Sequence, residues 1–311
     1  MKKICAVVIL AVLAVFVADA QIFCWNLENY FDAVDDPDTA DEAFTPGGEH
    51  HWSRRKFEAK RNLIAKTIIA SSECFDGDLP AIIGLCEVEN AAVLRSLTED
   101  TPLAKFRYRS VHRESPDPRG IDVALLYEPE RARLLTSDFI TVKDFATREI
   151  LYAKVAMRRD TLHIYVNHWP SKYSGAKASE IKRQAVCDAL LAHLDSLRAA
   201  EPDAKIIAMG DFNDTPQAAS IVRLCDRAGL ENLSNNISGT IKFKGKWEAI
   251  DQVLASPAAA AIIGTVDAYS PDFLLEEDKS FMGRKPRRTN IGPRYNGGAS
   301  DHLPIVAKLL E

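Results

Sequence analysis

The sequence predicts an α/β fold in which two mixed β-sheets pack face to face with helices outside. Three observations predict it. Short apolar or alternating runs bounded by polar, Gly or Pro residues outnumber the long amphipathic ones. Runs such as 151–157 and 161–168 are separated only by a tight turn near Arg159-Asp160, which forces antiparallel neighbours and argues against a doubly wound parallel sheet. No repeat, low-complexity segment or linker divides the chain, so one domain is expected.

The first twenty residues read as a leader. Lys2 and Lys3 give a positive start, residues 4–17 are apolar, and Ala18-Asp19-Ala20 places small residues before Gln21. The apolar run is shorter than the roughly 20 residues that span a bilayer. A secretory signal peptide over 1–20 is expected, with a mature domain over 21–311, placed in the periplasm or outside the cell. No other stretch is long and apolar enough to cross a membrane.

Strands are expected at 22–27, 81–86, 106–112, 121–127, 151–157, 161–168, 205–210, 250–255 and 304–309. Two helices stand out. Ser53 caps one running to about Ser71, with Phe57, Ile64 and Ile68 along one stripe. Ser179 caps another to about Leu197, with Ile181, Ala185, Ala189 and Leu190 inward. The stretches 33–52 and 270–299, rich in Gly, Pro and charge, read as irregular and exposed.

Composition narrows the function. Hydrophobic residues are 47% and charged residues 27%, which excludes a disordered or fibrous chain. Lys plus Arg is 39 against 44 Asp plus Glu, a formal charge of -5, so no global basic field holds nucleic acid. Such contact must be local, through a basic loop or a bound cation. Once Cys5 leaves with the leader, Cys24, Cys74, Cys86, Cys187 and Cys225 remain, an odd number without C-x-x-C spacing. That argues against a disulfide scaffold and a thiolate zinc site. Cys24 and Cys86 lie in apolar runs and are expected as buried thiols. A single bridge involving Cys74 stays open.

Polar residues with ligand chemistry recur where apolar runs begin or end: Asn26, Glu87, Asn167-His168, Asp211 with Asn213, Asp251, and Asp301-His302. One alone is a cap or turn residue. If the strands lie side by side, their ends gather in one cleft. Carboxylate and amide oxygens without thiolates suit Mg²⁺, with Mn²⁺ or Ca²⁺ as alternatives. Such an ion binds a phosphate oxygen and draws charge from a pentacoordinate transition state. A histidine oriented by a carboxylate supplies the base for water, and His302 with Asp251 fits that need.

Taken in order, Trp25-Asn26-Leu27-Glu28-Asn29, Glu87-Val88-Glu89-Asn90, Asn167-His168-Trp169, Gly210-Asp211-Phe212-Asn213, Ile250-Asp251-Gln252-Val253 and Ser300-Asp301-His302 resemble the endonuclease/exonuclease/phosphatase superfamily, over about residues 22–310. The resemblance implies a four-layer α/β sandwich and divalent-metal hydrolysis of phosphate esters. It implies Glu87 as principal metal ligand, Asn26 beside it, and Asp301 at the same or a second metal position. Asp211 would orient or deprotonate the attacking water, Asn213 would donate to a phosphate oxygen, and His302 would be the base, oriented by Asp251. His168 would contact the scissile phosphate, which leans the chain towards the deoxyribonuclease-like, secreted bacterial branch and away from the abasic-site enzymes.

Other residues carry weaker signals. Arg183, on the early turns of its helix, can point at a phosphate or into solvent. Asp122, after Arg119-Gly120, can line the cleft or start a strand. Glu28 and Asn29 can support the metal shell or cap a strand. His50, His51, His112, His163 and His193 show no partner signal. Lys279, Arg284, Lys285, Arg287, Arg288 and Arg294 form the one dense basic run. Its place before Asp301-His302 favours backbone contact, and Arg288 is taken as its substrate-binding candidate. Trp52 and Trp247 are either base-stacking or packed. The expected protein is a monomeric, secreted, low-specificity nuclease on DNA and/or RNA. The alternative is a phosphatase or phosphodiesterase on phospholipid or sugar phosphate, for which Phe273-Leu274-Leu275 is the candidate apolar loop. A non-catalytic binding protein on this scaffold is disfavoured by the intact polar set.

Overall fold

The computed structural model describes residues 21–172 and 175–310, so the leader lies outside the described residues. In chain order the elements are β1 (Gln21–Tyr30), α1 (Arg54–Ala70), β2 (Ile82–Val88), α2 (Ala91–Glu99), β3 (Arg109–His112), β4 (Asp122–Tyr127), β5 (Ala132–Ile140), β6 (Ile150–Met157), β7 (Asp160–His168), α3 (Ala176–Ala200), β8 (Lys205–Asp211), α4 (Ala219–Ala228), β9 (Glu231–Asn232), β10 (Ile241–Phe243), β11 (Lys246–Glu248), β12 (Asp251–Ala255), α5 (Pro257–Ala260), β13 (Ile263–Ala268), β14 (Leu275–Glu277), β15 (Arg284–Pro286), β16 (Asn290–Ile291), β17 (Arg294–Tyr295) and β18 (Ile305–Leu309).

Two six-stranded mixed sheets run in the orders β13-β18-β1-β2-β4-β3 and β5-β6-β7-β8-β12-β9. Each holds one parallel pair, β1 with β2 and β7 with β8; the other pairs are antiparallel. Each parallel pair needs a long crossover, and α1 and α3 lie in those crossovers.

The alternation of side chains builds the layers. Ile22, Cys24, Ile82 and Leu125 of one sheet meet Ala153, Ile164, Val166, Met209 and Val253 of the other in a central core. The opposite faces are also covered. Phe23, Trp25, Ile83 and Leu85 pack on Ile64, Ile68 and Leu94 of α1 and α2. Tyr165, Ile206 and Ala208 pack on Leu190, Leu194, Ile221 and Leu224 of α3 and α4. This is the expected four-layer sandwich, and two-sided burial explains why its central strands read as unbroken apolar runs.

Several boundaries differ from expectation. Ser53 does cap α1, accepting from the Lys56 N–H. Ser179 does not cap α3, which begins at Ala176; Ile181 faces solvent and Ser179 is buried. Residues Pro102–Phe106 form a 3-10 turn capped by Thr101, and the strand expected from 106 starts at Arg109. The short helices α2 and α4 and the strands β5 and β13 add to the expected list, and 270–299 holds two small hairpins. Among the described residues all five cysteines are free, Cys74 included. No helix among them is long and apolar enough to cross a membrane.

Candidate active site

Strand register brings the centre together. Asp211 on β8 lies opposite His168 on β7 and opposite Asp251 on β12, so three site residues stand abreast at one edge of the second sheet. At the first sheet, Asn26 pairs with Cys86, and pairing resumes at Tyr30 with Val88. Three residues of β1 therefore oppose Glu87 alone, and Glu87 drops out of the ladder. Such a bulge re-aims side chains. Glu28, Asn29, Glu87 and Asn213 all adopt positive φ between 50° and 60°. Left-handed non-glycine backbone is costly, and its clustering here marks a functional rim. Gly210 (φ +134°) is required for a different reason: a Cβ there would lie 2.0 Å from the Asn167 carbonyl oxygen, so only glycine lets β7 and β8 close beside Asp211.

The side chains then converge. Asn26 Nδ2 donates to Asp211 Oδ2 at 2.9 Å and to Glu87 Oε1 at 3.3 Å, bridging the two sheets. The Asn29 N–H fixes Glu87 Oε2 at 2.7 Å. His168 Nε2 stands 3.7 Å from Glu87 and 3.6 Å from Asp211. Asn213 donates from its backbone to Asp211 Oδ1 at 2.8 Å and from Nδ2 to the Trp169 carbonyl at 2.9 Å. His302 Nδ1 meets Asp251 Oδ2 at 2.7 Å, leaving Nε2 4.0 Å from Asp211 and 3.9 Å from Asp301. Thr240 Oγ1 donates to the same Asp251 oxygen, and Ser300 Oγ ties the loop to the Asn26 carbonyl. Asn26, Glu87, Asp211, Asn213, Asp251, Asp301, His302 and His168 thus share one centre.

Burial and neighbouring charge together set the protonation. Burial and the neighbouring Asp251 charge push Asp211 up to about 7. Burial alone would lower His302, but Asp251, Asp211 and Asp301 outweigh it and hold the imidazole well above its ordinary value. His168 is driven well below its ordinary value by burial, then by Arg148 and Arg119. One histidine is held as a proton carrier and the other neutral.

The donor set fits a hard divalent cation. Glu87, Asp301 and Asp211 offer carboxylate oxygens, and the nearby Cys86 thiol turns away to the Asn167 carbonyl. Asn26 points Nδ2 at Glu87 and Asp211 while its Oδ1 accepts from the Glu28 N–H at 2.9 Å, so its amide must turn over to become a ligand. Asp211, Asp251 and His302 form a group with three ligand atoms within 4.8 Å of one another. Within it, however, Asp251 is already used by His302 and Thr240, so a base with its orienter is the better description.

Of two expected substrate contacts, one lands elsewhere and the other is already paired at the rim. Arg183 is buried, with Nε on Asp214 at 2.8 Å and Nη1 on the Pro170 carbonyl. Its guanidinium is committed to bracing the loop after β7 and is not offered to a phosphate. Arg288 does reach the rim, where it bonds Glu28 at 2.9 Å and Asp301 at 2.8 Å. Much of the basic run is similarly engaged: Arg284 with Asp272, Lys285 with Glu276, and Arg287 with the Asn296 carbonyl. Trp52 is buried, donating to the Phe31 carbonyl, and so packs rather than stacks. Three of the histidines without a partner signal have partners: His112 with Asp122, His163 with Tyr152 and Glu201, His193 with Tyr165.

Other residues were not foreseen. Lys60 is fully buried and donates to the Glu28 carbonyl at 2.7 Å; burial brings its ammonium down to about 8, and burial raises Glu28 to about 7. Its signal was present, a lysine at the buried stripe of α1 between Phe57 and Ile64. Arg148 is buried between Asp117 (2.8 Å) and the Trp169 carbonyl (2.7 Å). Asp117 in turn holds the half-exposed Arg119, whose charge bears on both Glu87 and His168.

Known proteins share this architecture. The family described as the Endonuclease/Exonuclease/phosphatase family matches residues 21–311. No curated protein sequence matches significantly. Among solved structures, the Bacteroides thetaiotaomicron VPI-5482 mannosyl-6-phosphatase Bt3783 superposes with TM-score 0.60 at 14% identity, covering 94% of this chain and 100% of that one. D. rerio TDP2 complexed with single-strand DNA product gives 0.59 at 16%, covering 94% and 99%. The human Nocturnin catalytic domain with bound sulfate gives 0.58 at 16%, covering 94% of each. At these identities the likeness is one of fold.

Proposed function

The chain belongs to the endonuclease/exonuclease/phosphatase family and is a metal-dependent phosphoric ester hydrolase, and from that premise we propose a secreted or periplasmic phosphodiesterase, a monomer that cuts DNA and/or RNA with little sequence preference. Mg²⁺ is the proposed ion, with Mn²⁺ or Ca²⁺ as substitutes. The observation that carries the reading is the His302–Asp251 pair, whose free Nε2 faces Asp211 beside the Glu87–Asn26 bridge.

In this reading Glu87 and Asp301 would hold the ion, joined by Asn26 once its amide turns Oδ1 towards them. When bound, the ion neutralises charge on the phosphate and on the leaving oxygen. Asp211 orients the attacking water, and His302 Nε2 takes its proton while Asp251 stabilises the imidazolium. The neutral His168 donates to a non-bridging oxygen, Asn213 does the same once its Nδ2 releases Asp211 or the Trp169 carbonyl, and Arg119 adds a fixed positive charge. Arg288 steadies Asp301 instead of meeting substrate directly.

The phospholipid or sugar-phosphate alternative uses the same centre. Its candidate loop does not present an apolar surface: Leu274 is buried, and Phe273 and Leu275 are half-buried. The test is cleavage of plasmid DNA and of RNA by the mature protein with Mg²⁺, Mn²⁺ or Ca²⁺, beside lipid and sugar phosphoesters. Glu87→Ala and His302→Ala should abolish turnover. Wild type and variants behaving alike would reject the reading, and turnover of sugar or lipid phosphate alone would move it to the alternative.

A further inference from the structure

Exposed apolar side chains such as Val34, Ile181 and Val222 are scattered singly and need no explanation. Phe243, Phe281 and Met282 are different. They are 59%, 53% and 83% exposed, Phe243 at the turn of β10–β11 and Phe281 and Met282 in the loop of β14–β15, and these two tips touch through Gly245 and Lys242. Gly245 (φ +81°) makes the contact possible, since a Cβ there would lie 2.9 Å from Phe281 Cβ. Lys242 Nζ locks the two tips together through the Met282 carbonyl (2.6 Å) and Asp278 (2.9 Å). Asp278 in turn accepts from the Ser280 and Phe281 N–H groups. The tips are therefore fixed relative to each other before anything binds.

Both hairpins are rooted in the catalytic centre. Thr240, just before β10, bonds Asp251, and its carbonyl accepts from the Leu303 N–H beside His302. Arg288, two residues beyond β15, bonds Glu28 and Asp301. Three-residue strands carry the tips about 10 Å from those roots.

We infer that these tips are a stacking platform for unpaired bases of a single-stranded polynucleotide flanking the scissile phosphate. The inference rests on the phosphodiesterase reading and adds recognition of the polymer. Cations interleave with the rings instead of surrounding them. The β10–β11 turn runs Phe243-Lys244-Gly245-Lys246, with Lys244 Nζ 5.3 Å from the Phe243 ring, and Lys279 is exposed in the facing loop. Bases and phosphates alternate along a single strand in the same way, and every base has a face to stack. A lipid surface fits less well, because the turn would carry Lys244 and Lys246 towards hydrocarbon with Phe243. In a duplex the base faces are already stacked on each other.

The experiment measures fluorescence anisotropy of fluorescein-labelled oligothymidylate and oligouridylate with the mature chain in EDTA. Phe243→Ala/Phe281→Ala should weaken binding roughly tenfold or more, while Phe243→Tyr/Phe281→Tyr keeps it. Binding of a labelled duplex should be the same in all three proteins. Hydrolysis of bis(p-nitrophenyl) phosphate with Mg²⁺ should also be the same in all three, which reports that the variants fold. Unchanged single-strand affinity in the alanine variant overturns the platform. So does capture of wild type, but not the alanine variant, on phosphatidylserine vesicles with oligonucleotide affinity unaffected. If wild type hydrolyses no diester, the phosphodiesterase reading fails, and the anisotropy still decides the platform.

Discussion

His302 with Asp251 and His112 with Asp122 are the same chemical object, an imidazole bonded to a buried carboxylate, at 2.7 and 2.9 Å. Their surroundings differ. His302 spends Nδ1 on its partner and turns Nε2 towards Asp211 and Asp301. Its partner is held by Thr240. His112 spends Nε2 on Asp122, and its Nδ1 faces the exposed Glu114 at 4.0 Å. The second oxygen of Asp122 is taken by the Ser115 N–H. Either trio has the make-up of a metal-ligand group. What separates them is where the free nitrogen points and how many strand ends arrive there. A histidine–carboxylate pair becomes a general base only when its unbonded nitrogen faces the space a reacting water will occupy.

The largest difference between the pairs should appear on truncation. His302→Ala is expected to lower kcat by about 10³-fold or more, since groups acting as a unit lose most of their effect together. The equivalent truncation at His112 should leave kcat within about threefold. Steady-state hydrolysis of one diester by both variants checks this. Comparable losses would erase the distinction and place a second reactive centre on the first sheet.

A subtler test keeps the imidazole and changes its partner. Asp251→Asn preserves size but removes the charge that holds the His302 conjugate acid up. Without that charge the imidazole deprotonates at lower pH, so the rising limb of kcat/KM against pH should shift towards acid. The plateau should fall by roughly 10²–10⁴-fold, because the imidazolium formed on proton transfer loses its counter-charge. A rising limb that stays in place would assign it to another group, with Asp211, raised to about 7, the first candidate.

Much of this centre was legible because it lies at the ends of central strands. Asn26, Glu87, His168, Asp211 and Asp251 each interrupt or close an apolar run that two-sided burial makes conspicuous. The supporting residues were harder to see. Lys60 and Arg148 are buried cations whose partners, the Glu28 carbonyl and Asp117, lie 32 and 31 residues away. Arg183 shows the opposite error. Its place on the early turns of a helix suggested a free cation, and only the fold reveals Asp214 beneath it. Strand β5 escaped notice because most of it is exposed, so its apolar alternation is weak. The hairpins at 241–248 and 275–286 have strands of three residues, too short for a period-2 signal.

The smallest expected effect on catalysis carries its own structural consequence. Truncating His112 removes the bond that Asp122 makes at 2.9 Å and leaves its carboxylate, 1% exposed, one partner short, with the Ser115 N–H still in place. A buried acceptor that loses a partner costs about 1–3 kcal/mol. Asp122 lies opposite Val88, one residue beyond Glu87, so this loss falls on the strand pair next to the metal side of the centre. His112→Ala should therefore lower the urea midpoint at unchanged m while kcat holds, whereas His302→Ala should lose kcat. Equilibrium unfolding of both variants, read beside their turnover, separates a pair that stabilises the sheet from a pair that moves a proton. If His112→Ala loses turnover and keeps its urea midpoint, the assignment of the two dyads is reversed.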